Sequence, residues 1–378
     1  MTLFIYLIII YFGVRISQQL SGIYQSINFL KTKNRYISDS YQNKITVLIP
    51  IFCEEHSLKG AIKFWSKSGI SPIFVTTEKE NFSKNCKSIE ILNKTNFQII
   101  HFPKTDGFKA SQLNYAISQI KSDGYIAIFD VDSRPDLEVF EYVEKLAIDE
   151  VLQMPTLFTE DFNKNSIYGK SSAIFQSRRV LTFEIPTLLK NKFGYLVGHG
   201  LFIKNKVFDK YHFCEETVTE DLVFGYELYL AGVRPKPLPY FDFSTVPSSF
   251  LQTISQTSRW FAGDLIFIKY LKIGKKDILH ILRRYLHILE WLFGSITIIF
   301  GLLFGDITQI IILIFLISTY IYIHFVTLKI LNIRNNINIY FGIIFKMITN
   351  SIPPIYGVYR IMLDILNIKK HIFERTEK

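Results

Sequence analysis

The chain has 378 residues, 49% of them hydrophobic, with 34 Phe and 21 Tyr, and its 43 Lys+Arg against 33 Asp+Glu leave a net charge of +10. That length accommodates a full core and more than one module, and the mean hydropathy of +0.21 exceeds what an ordinary soluble enzyme carries. The basic excess admits nucleic acid, an anionic membrane face or phosphorylated substrates as partners. Three cysteines, Cys53, Cys86 and Cys214, show the spacing of neither a disulfide framework nor a zinc site, which predicts a reduced, cytoplasm-facing domain.

The apolar residues are unevenly spread. Residues 2–14, TLFIYLIIIYFGV, form an uncharged run without a basic start or a cleavage site, so an uncleaved anchor is expected over residues 1–35. Next comes an alternation of strand and helix patterns. ITVLIPI (45–51) reads as a buried strand, and the following helix puts Leu58, Ala61, Ile62 and Trp65 on one face. IFVT (73–76) and FQIIHF (97–102) read as further strands, and Lys109 to Lys121 as a helix with Leu113, Ala116, Ile117 and Ile120 at helical spacing. Asp123-Gly124 then turns the chain into a fourth strand, YIAIFDVDS. The alternation predicts an α/β domain with a largely parallel sheet over residues 36–247, and ligands of such sheets sit at the carboxyl ends of strands. The pair Asp130 and Asp132 stands at such an end. Two carboxylates this close repel unless a cation or hydrogen-bond donors share the site, and Mg²⁺ takes one or two carboxylates plus phosphate oxygens. Taken alone, the pair fits a turn equally well.

Residues 248–285 read as an amphipathic interfacial segment, with Phe250, Leu251, Ile254, Phe261, Leu265 and Ile266 as its apolar stripe. On the same helix Gln256, Arg259 and Trp260 stand at i, i+3 and i+4; a guanidinium fork suits diphosphate and an indole suits a sugar ring, while Trp and Arg near a membrane also serve as anchors. Residues 286–304 and 307–328 are long enough to cross a bilayer. Basic residues before and after that pair, such as Lys269, Arg284, Lys329 and Arg334, place residues 15–285 on the cytoplasmic side by the positive-inside rule. The stretch 337–366, interrupted by Lys346 and Pro353-Pro354, is compatible with spanning, re-entering or lying in the interface.

Five segments in order resemble the membrane-bound branch of the family-2 glycosyltransferases that includes cellulose, chitin and hyaluronan synthases: LIPIFCEE (48–55), KASQLNYAI (109–117), FDVDS, VTEDLVFGYELYLAGVRP (218–235) and QTSRWFAGD (256–264). The closing FERTEK resembles the family's cytoplasmic ending. The resemblance covers roughly residues 43–265 and implies a GT-A (Rossmann-like) catalytic domain on the cytoplasmic face of the cell membrane, in a multi-pass protein ending in transmembrane or interfacial helices (286–378). It implies that Pro50, Glu54, Lys109, Asp130, Asp132 and Arg259 bind the nucleotide-sugar donor, with Mg²⁺ or Mn²⁺ on Asp132 and Asp130. Asp221, next to Glu220, would act as general base, and Gln256 and Trp260 would face the acceptor. Each role has a plainer counterpart: Lys109 as a solvated helix-end lysine, and Thr219 or Asp221 as a helix cap.

The sequence departs from the family's pattern at Thr76-Thr77-Glu78, where an Asp usually holds the base; Glu78 is the stand-in, and the base preference is open. Gly198-His199-Gly200 falls where small residues border the donor sugar. The expected activity is inverting sugar transfer from a nucleotide-sugar, with UDP the first choice, to a polysaccharide or lipid-linked acceptor in surface or exopolysaccharide synthesis. Membrane lipids and a homo-oligomer are compatible partners; no nucleic-acid motif is present. A non-processive lipid glycosyltransferase is one alternative and a catalytically silent membrane subunit another. A transporter is disfavoured because the long apolar runs lack paired charges in their middles.

Overall fold

The computed structural model describes residues 2–33, 44–83, 86–105, 108–120, 123–190, 196–271, 278–334 and 336–366. The expected cytoplasmic ending FERTEK and the lysines at 272, 275 and 276 lie outside the described residues. Among the described residues ten strands run β1 (Ile45–Pro50), β2 (Ile73–Thr77), β3 (Gln98–Phe102), β4 (Tyr125–Ile128), β5 (Arg134–Pro135), β6 (Val151–Gln153), β7 (Thr156–Leu157), β8 (Leu201–Lys204), β9 (Lys236–Pro237) and β10 (Asp242–Phe243). Thirteen α-helices accompany them: α1 (Thr2–Leu30), α2 (Glu55–Ser68), α3 (Ser88–Leu92), α4 (Lys109–Gln119), α5 (Glu138–Leu146), α6 (Ile167–Arg179), α7 (Ile185–Leu189), α8 (Glu220–Leu230), α9 (Phe250–Phe267), α10 (Ile278–Phe304), α11 (Ile307–Ile330), α12 (Ile337–Thr349) and α13 (Ile352–Ile365).

The chain divides into two compact units, one of residues 28–156 and 187–244, the other of residues 1–27, 157–186 and 245–378. The first unit is built on a seven-stranded sheet in the order β3-β2-β1-β4-β8-β6-β9. β1 pairs parallel with β2 and β4, and β2 with β3, through the strand-helix alternation the sequence predicts, whereas β8 enters antiparallel between β4 and β6. The alternation of strand side chains sorts the core onto both faces. Val47, Ile49, Phe129 and Phe202 pack with Leu58 and Trp65 of α2 on one side. Leu48, Ile126 and Ile128 pack with Leu113 of α4 and Phe224 of α8 on the other. Helices cover both faces, which is why β4 reads as a continuous apolar run and not as an alternating one. Where that cover ends, β4 delivers Asp130 and Asp132.

The second unit is helical. α1, α10 and α11 are each long and apolar enough to cross a membrane by length and composition. Residues 337–366 form two helices instead of one broken span: Pro353 and Pro354 occupy the first positions of α13, where a missing N–H costs nothing. At 13 and 14 residues, α12 and α13 are each about 20 Å long, short of the ~30 Å hydrocarbon thickness. α13 packs along α9, its Arg360 Nη1 donating to Ser255 O and Ser258 Oγ, both at 3.3 Å. α12 packs along α6, with Ile339 and Ile343 against Ala173 and Ile174.

The cysteine reading needs correction. Cys53 and Cys86 are 33 residues apart in sequence, yet the end of β1 and the segment leading into α3 bring their Cα atoms to 4.9 Å and the two are paired as a disulfide. Local spacing carries no trace of such a long-range approach, and the pair opposes the expectation of a fully reduced domain.

Candidate active site

The site is assembled at the carboxyl end of β4 from the first unit alone. Asp130 follows the last residues of that strand and accepts a hydrogen bond from Lys109 Nζ at 2.6 Å. Lys109 opens α4 and also donates to Gly198 O at 2.7 Å, so one ammonium ties the strand end to the 196–200 loop. Asp132 is buried at 3% exposure and its Oδ2 accepts from Ser244 Oγ at 3.1 Å. The adjacent Ser133 donates to Asp242 Oδ2 at 2.8 Å, and the same oxygen is 2.7 Å from His199 Nδ1. Aspartate, serine and histidine thus lock the β4 turn to β10 and to the Gly198-His199-Gly200 loop.

That loop is shaped from beneath by Gln153 of β6. Its Nε2 donates to His199 O at 2.8 Å, and its Oε1 accepts from Val197 N at 2.9 Å. Gly200 has φ +66° and sits against Met154, a conformation that favours glycine. Gly198 is required for a different reason, close approach. A Cβ there would stand 3.3 Å from Lys109 Nζ, 3.3 Å from Asp221 Oδ2 and 3.6 Å from Glu220 Oε1. One ammonium and two carboxylates therefore converge on a glycine backbone, and a side chain would fill the space they surround.

Glu220 and Asp221 are the first residues of α8, where the helix dipole favours negative charge. Asp221 Oδ1 accepts from Leu222 N at 2.8 Å; Thr219 is the N-cap residue, but its side chain caps nothing. The approach to α8 is fixed from α4. Asn114 exchanges hydrogen bonds with the backbone of Phe213 at 2.9 and 3.0 Å, and Ser111 Oγ donates to Glu215 at 2.7 Å. The Lys-Ala-x-x-Leu-Asn pattern thus has a geometric meaning: Lys109 serves the site, while Ser111 and Asn114 hold the segment that carries Glu220 and Asp221.

The charges are mutually dependent. Burial, followed by repulsion from Asp221, pushes Glu220 up to about 7. Burial also raises Asp221, against the opposing pull of the Lys109 ammonium. Burial disfavours the charge on Lys109, but Asp130, Glu220 and Asp221 outweigh it and raise its pKa. His199 is raised too: burial opposes its charge, and Asp130 and the hydrogen bond to Asp242 overcome that. Asp242 is raised by burial.

Of the residues expected from sequence, Asp130, Asp132, Lys109, Glu220 and Asp221 are together. Pro50 ends β1, the parallel neighbour of β4, and Glu54 is the N-cap residue of α2, its backbone N–H donating to Ser88 Oγ at 3.3 Å. Glu78 bonds His101 Nε2 at 2.8 Å at the β2–β3 end of the sheet. Gln256, Arg259 and Trp260 belong to α9 in the helical unit. Gln256 is buried, with no hydrogen-bond partner for its Oε1 among the described residues. Sequence reasoning missed four residues. Asp242, Ser244 and Gln153 are single polar residues in apolar surroundings, without a motif. Glu80 is buried and accepts from Cys53 N at 2.9 Å, just past the end of β1.

Asp130 and Asp132 offer only oxygen donors, the chemistry of a hard divalent cation that fills the rest of its shell with phosphate and water oxygens. In donor chemistry this pair fits such an ion; Asp242 Oδ1, buried with no hydrogen-bond partner among the described residues, does not form a three-carboxylate cluster with it.

A mixed sheet with its acidic site at the ends of parallel strands defines a GT-A-type transferase fold. The profile of glycosyl transferase family group 2 matches residues 125–333, more than half of the chain, and the chain belongs to that family: it is a glycosyltransferase. Among solved structures, the mannosyltransferase PcManGT from Pyrobaculum calidifontis, in complex with GDP-Man and Mn²⁺, shares 13% identity at a TM-score of 0.57. The match covers 95% of this chain and 99% of that one. S. aureus TarS, residues 1–349, shares 15% identity at a TM-score of 0.42 over 84% of this chain and 91% of that one; the same fragment in complex with UDP-GlcNAc shares 13%. No curated protein matches the chain.

Proposed function

We propose that the chain is an inverting, membrane-associated glycosyltransferase that moves a sugar from a nucleotide-sugar to a glycan or lipid-linked acceptor. The observation that carries this reading is the convergence of Lys109, Glu220 and Asp221 on Gly198, beside Asp130 at the end of β4. The complex of the fold relative PcManGT with GDP-Man supports a nucleoside-diphosphate sugar as donor, with the base left open. Asp132 and Asp130 would hold the divalent metal, which when bound would supply positive charge to neutralise the diphosphate.

The protein's own groups do the rest. Lys109 places a fixed positive charge beside the strand end, preorganised by Asp130 and the Gly198 carbonyl. Asp221, part-buried and raised in pKa, accepts the proton of the acceptor hydroxyl. The hydroxyl oxygen forms a bond to the anomeric carbon as the bond to the diphosphate oxygen breaks on the opposite side, so configuration inverts. Glu220 helps keep a proton on the acidic pair until near-neutral pH, so full base strength appears only there. The motif resemblance, and not the placement of α9, assigns Arg259 to the diphosphate and Gln256 and Trp260 to the acceptor.

The test is nucleotide release by detergent-purified protein across UDP-, GDP- and dTDP-sugars, with Mn²⁺, Mg²⁺ or EDTA. Metal-dependent release from one donor, lost in Asp132→Ala and Asp221→Asn, is expected. Silence with every donor, even with native lipids added, would point instead to a non-catalytic membrane subunit.

A further inference from the structure

Within the helical unit a cavity of about 270 Å³ lies among α1, α6, α9, α10, α11 and α12, and Trp260 of the Gln-x-x-Arg-Trp segment is part of its wall. That volume equals roughly nine water molecules at their liquid share, enough for a phosphate or diphosphate group. The wall carries four basic side chains, Arg15, Arg178, Arg179 and Lys346, against one carboxylate, Glu290.

The single carboxylate is already engaged. Glu290 Oε2 is 2.8 Å from Arg15 Nε and accepts from Tyr11 at 3.0 Å. Arg179 Nε is 3.8 Å from Glu184, the outer limit of an ion pair. Arg178 and Lys346 are held by neutral groups. Arg178 donates to Gln19 Oε1 at 2.5 Å and lies over the rings of Tyr320 and Phe175. Lys346, 3% exposed, donates to the Tyr168 hydroxyl at 3.1 Å. Neither has a carboxylate within ion-pair distance among the described residues, and Arg178 Nε is buried without a hydrogen-bond partner there. A charge removed from water is costly unless an opposite charge meets it, and ionisable groups inside an apolar bundle mark functional sites. Guanidinium forks select anions with several oxygens in a plane or tetrahedron, phosphate above all.

The remaining wall is apolar. Phe12, Ile16, Ile298, Leu313 and Ile317 come from α1, α10 and α11, the three helices able to cross a membrane. A ligand that leaves this cavity along those helices has a hydrocarbon tail.

We propose that this chamber binds the phosphorylated head of a membrane lipid, the anchoring end of the lipid-linked acceptor whose sugar hydroxyl is the one that reacts. The inference deepens the acceptor half of the proposed function and rests on it. Arg178 and Lys346 hold the phosphate, Trp260 and Trp291 flank it, and the apolar wall takes the first carbons of the chain.

The experiment follows tryptophan emission of the full chain in a neutral detergent. The chain has three Trp; Trp65 is 1% exposed in the core of the other unit, so changes report Trp260 and Trp291. Dodecyl phosphate, dodecanol and inorganic phosphate are titrated in turn. Dodecyl phosphate is expected to saturate, dodecanol to give no saturable change, and inorganic phosphate to bind at least a hundredfold more weakly. Arg178→Gln and Lys346→Gln are each expected to lose tenfold or more in affinity and Arg178→Lys less. Equal binding of the alcohol and its phosphate overturns the inference without recourse to any variant, as do unchanged affinities in both glutamine variants. Inorganic phosphate binding as tightly as the lipid overturns the lipid assignment. Nucleotide release from the same preparation separates the two readings. Release without lipid binding overturns this inference alone, whereas lipid binding with no donor turnover removes the transferase reading and with it the acceptor role.

Discussion

Replacing Glu220 by Gln removes one charge from the acidic pair while keeping its shape. Asp221 Oδ2 and Glu220 Oε1 stand 3.3 and 3.6 Å from one point, the Cβ position of Gly198, so the two oxygens are no more than about 6.9 Å apart. At an effective dielectric of ~20, two unit charges at that distance repel by about 2.4 kcal/mol, which corresponds to roughly 1.8 pKa units. The wild-type rate is expected to rise with pH through an inflection near the value of about 7 that burial and Asp221 impose on Glu220. In Glu220→Gln the inflection should fall by one to two units, with the plateau kept within about tenfold, whereas Asp221→Asn should lose ~10²–10⁴ at every pH. Stability has its own sign. The folded pKa of Glu220 exceeds the usual 4.5, so its protonated form is favoured by the fold; that contribution is complete below the unfolded pKa and lost as pH climbs through about 7. A permanently neutral Gln keeps it. Glu220→Gln should therefore melt above the parent at pH 8, by at most about 3 kcal/mol and less because the side chain is partly solvated. The assay is kcat/KM from pH 5.5 to 9 beside thermal melts at pH 5 and 8. An inflection unmoved in Glu220→Gln would refute the shared-proton reasoning. A dead Glu220→Gln beside an active Asp221→Asn would exchange their roles.

Lys109→Met removes the cation that lowers both Glu220 and Asp221, so its rate inflection should move above that of wild type, opposite to Glu220→Gln; a downward move in the pH–rate profile would contradict the charge coupling. Gly198→Ala adds a methyl at 3.3 Å from both Lys109 Nζ and Asp221 Oδ2; turnover should drop more than tenfold while the melting temperature changes by only a few degrees, and wild-type turnover would show that the space is not used. The Cys53–Cys86 pair closes a segment of 33 residues, a constraint of about 3–4 kcal/mol in the chain-entropy account. Reductant or Cys86→Ser should lower the melting of the sheet unit by roughly 10 °C, and identical melts with and without reductant would show that the pair contributes nothing.

Much of the catalytic unit was legible because its signals are local. β1, β2 and β3 are short apolar runs bounded by polar residues, α4 repeats its apolar positions at helical spacing, and the β4 run stops abruptly at Asp130. The same locality explains the misses. Ser133 and Asp242 are 109 residues apart, and Asp132 and Ser244 are 112 apart; each looks like an ordinary polar residue until the β5–β10 pairing joins them. Nothing about Gly198 in sequence indicates that an ammonium and two carboxylates meet at it. The proline pair at 353–354 signalled a break, and the structure uses it as the start of α13, because proline is excluded from a helix interior yet welcome in its first turn.

The cations of the helical unit illustrate the limit most clearly. In sequence Arg178 and Arg179 belong to no motif and Lys346 only interrupts an apolar stretch, so nothing links the three. The fold instead sets all three in the wall of one cavity with Arg15, drawn from three helices whose order along the chain gives no hint of their proximity. Charge patterning along a chain locates surfaces. Only the packing of several helices shows when like charges share a cavity, and it is that sharing, not the number of basic residues, that calls for an anion.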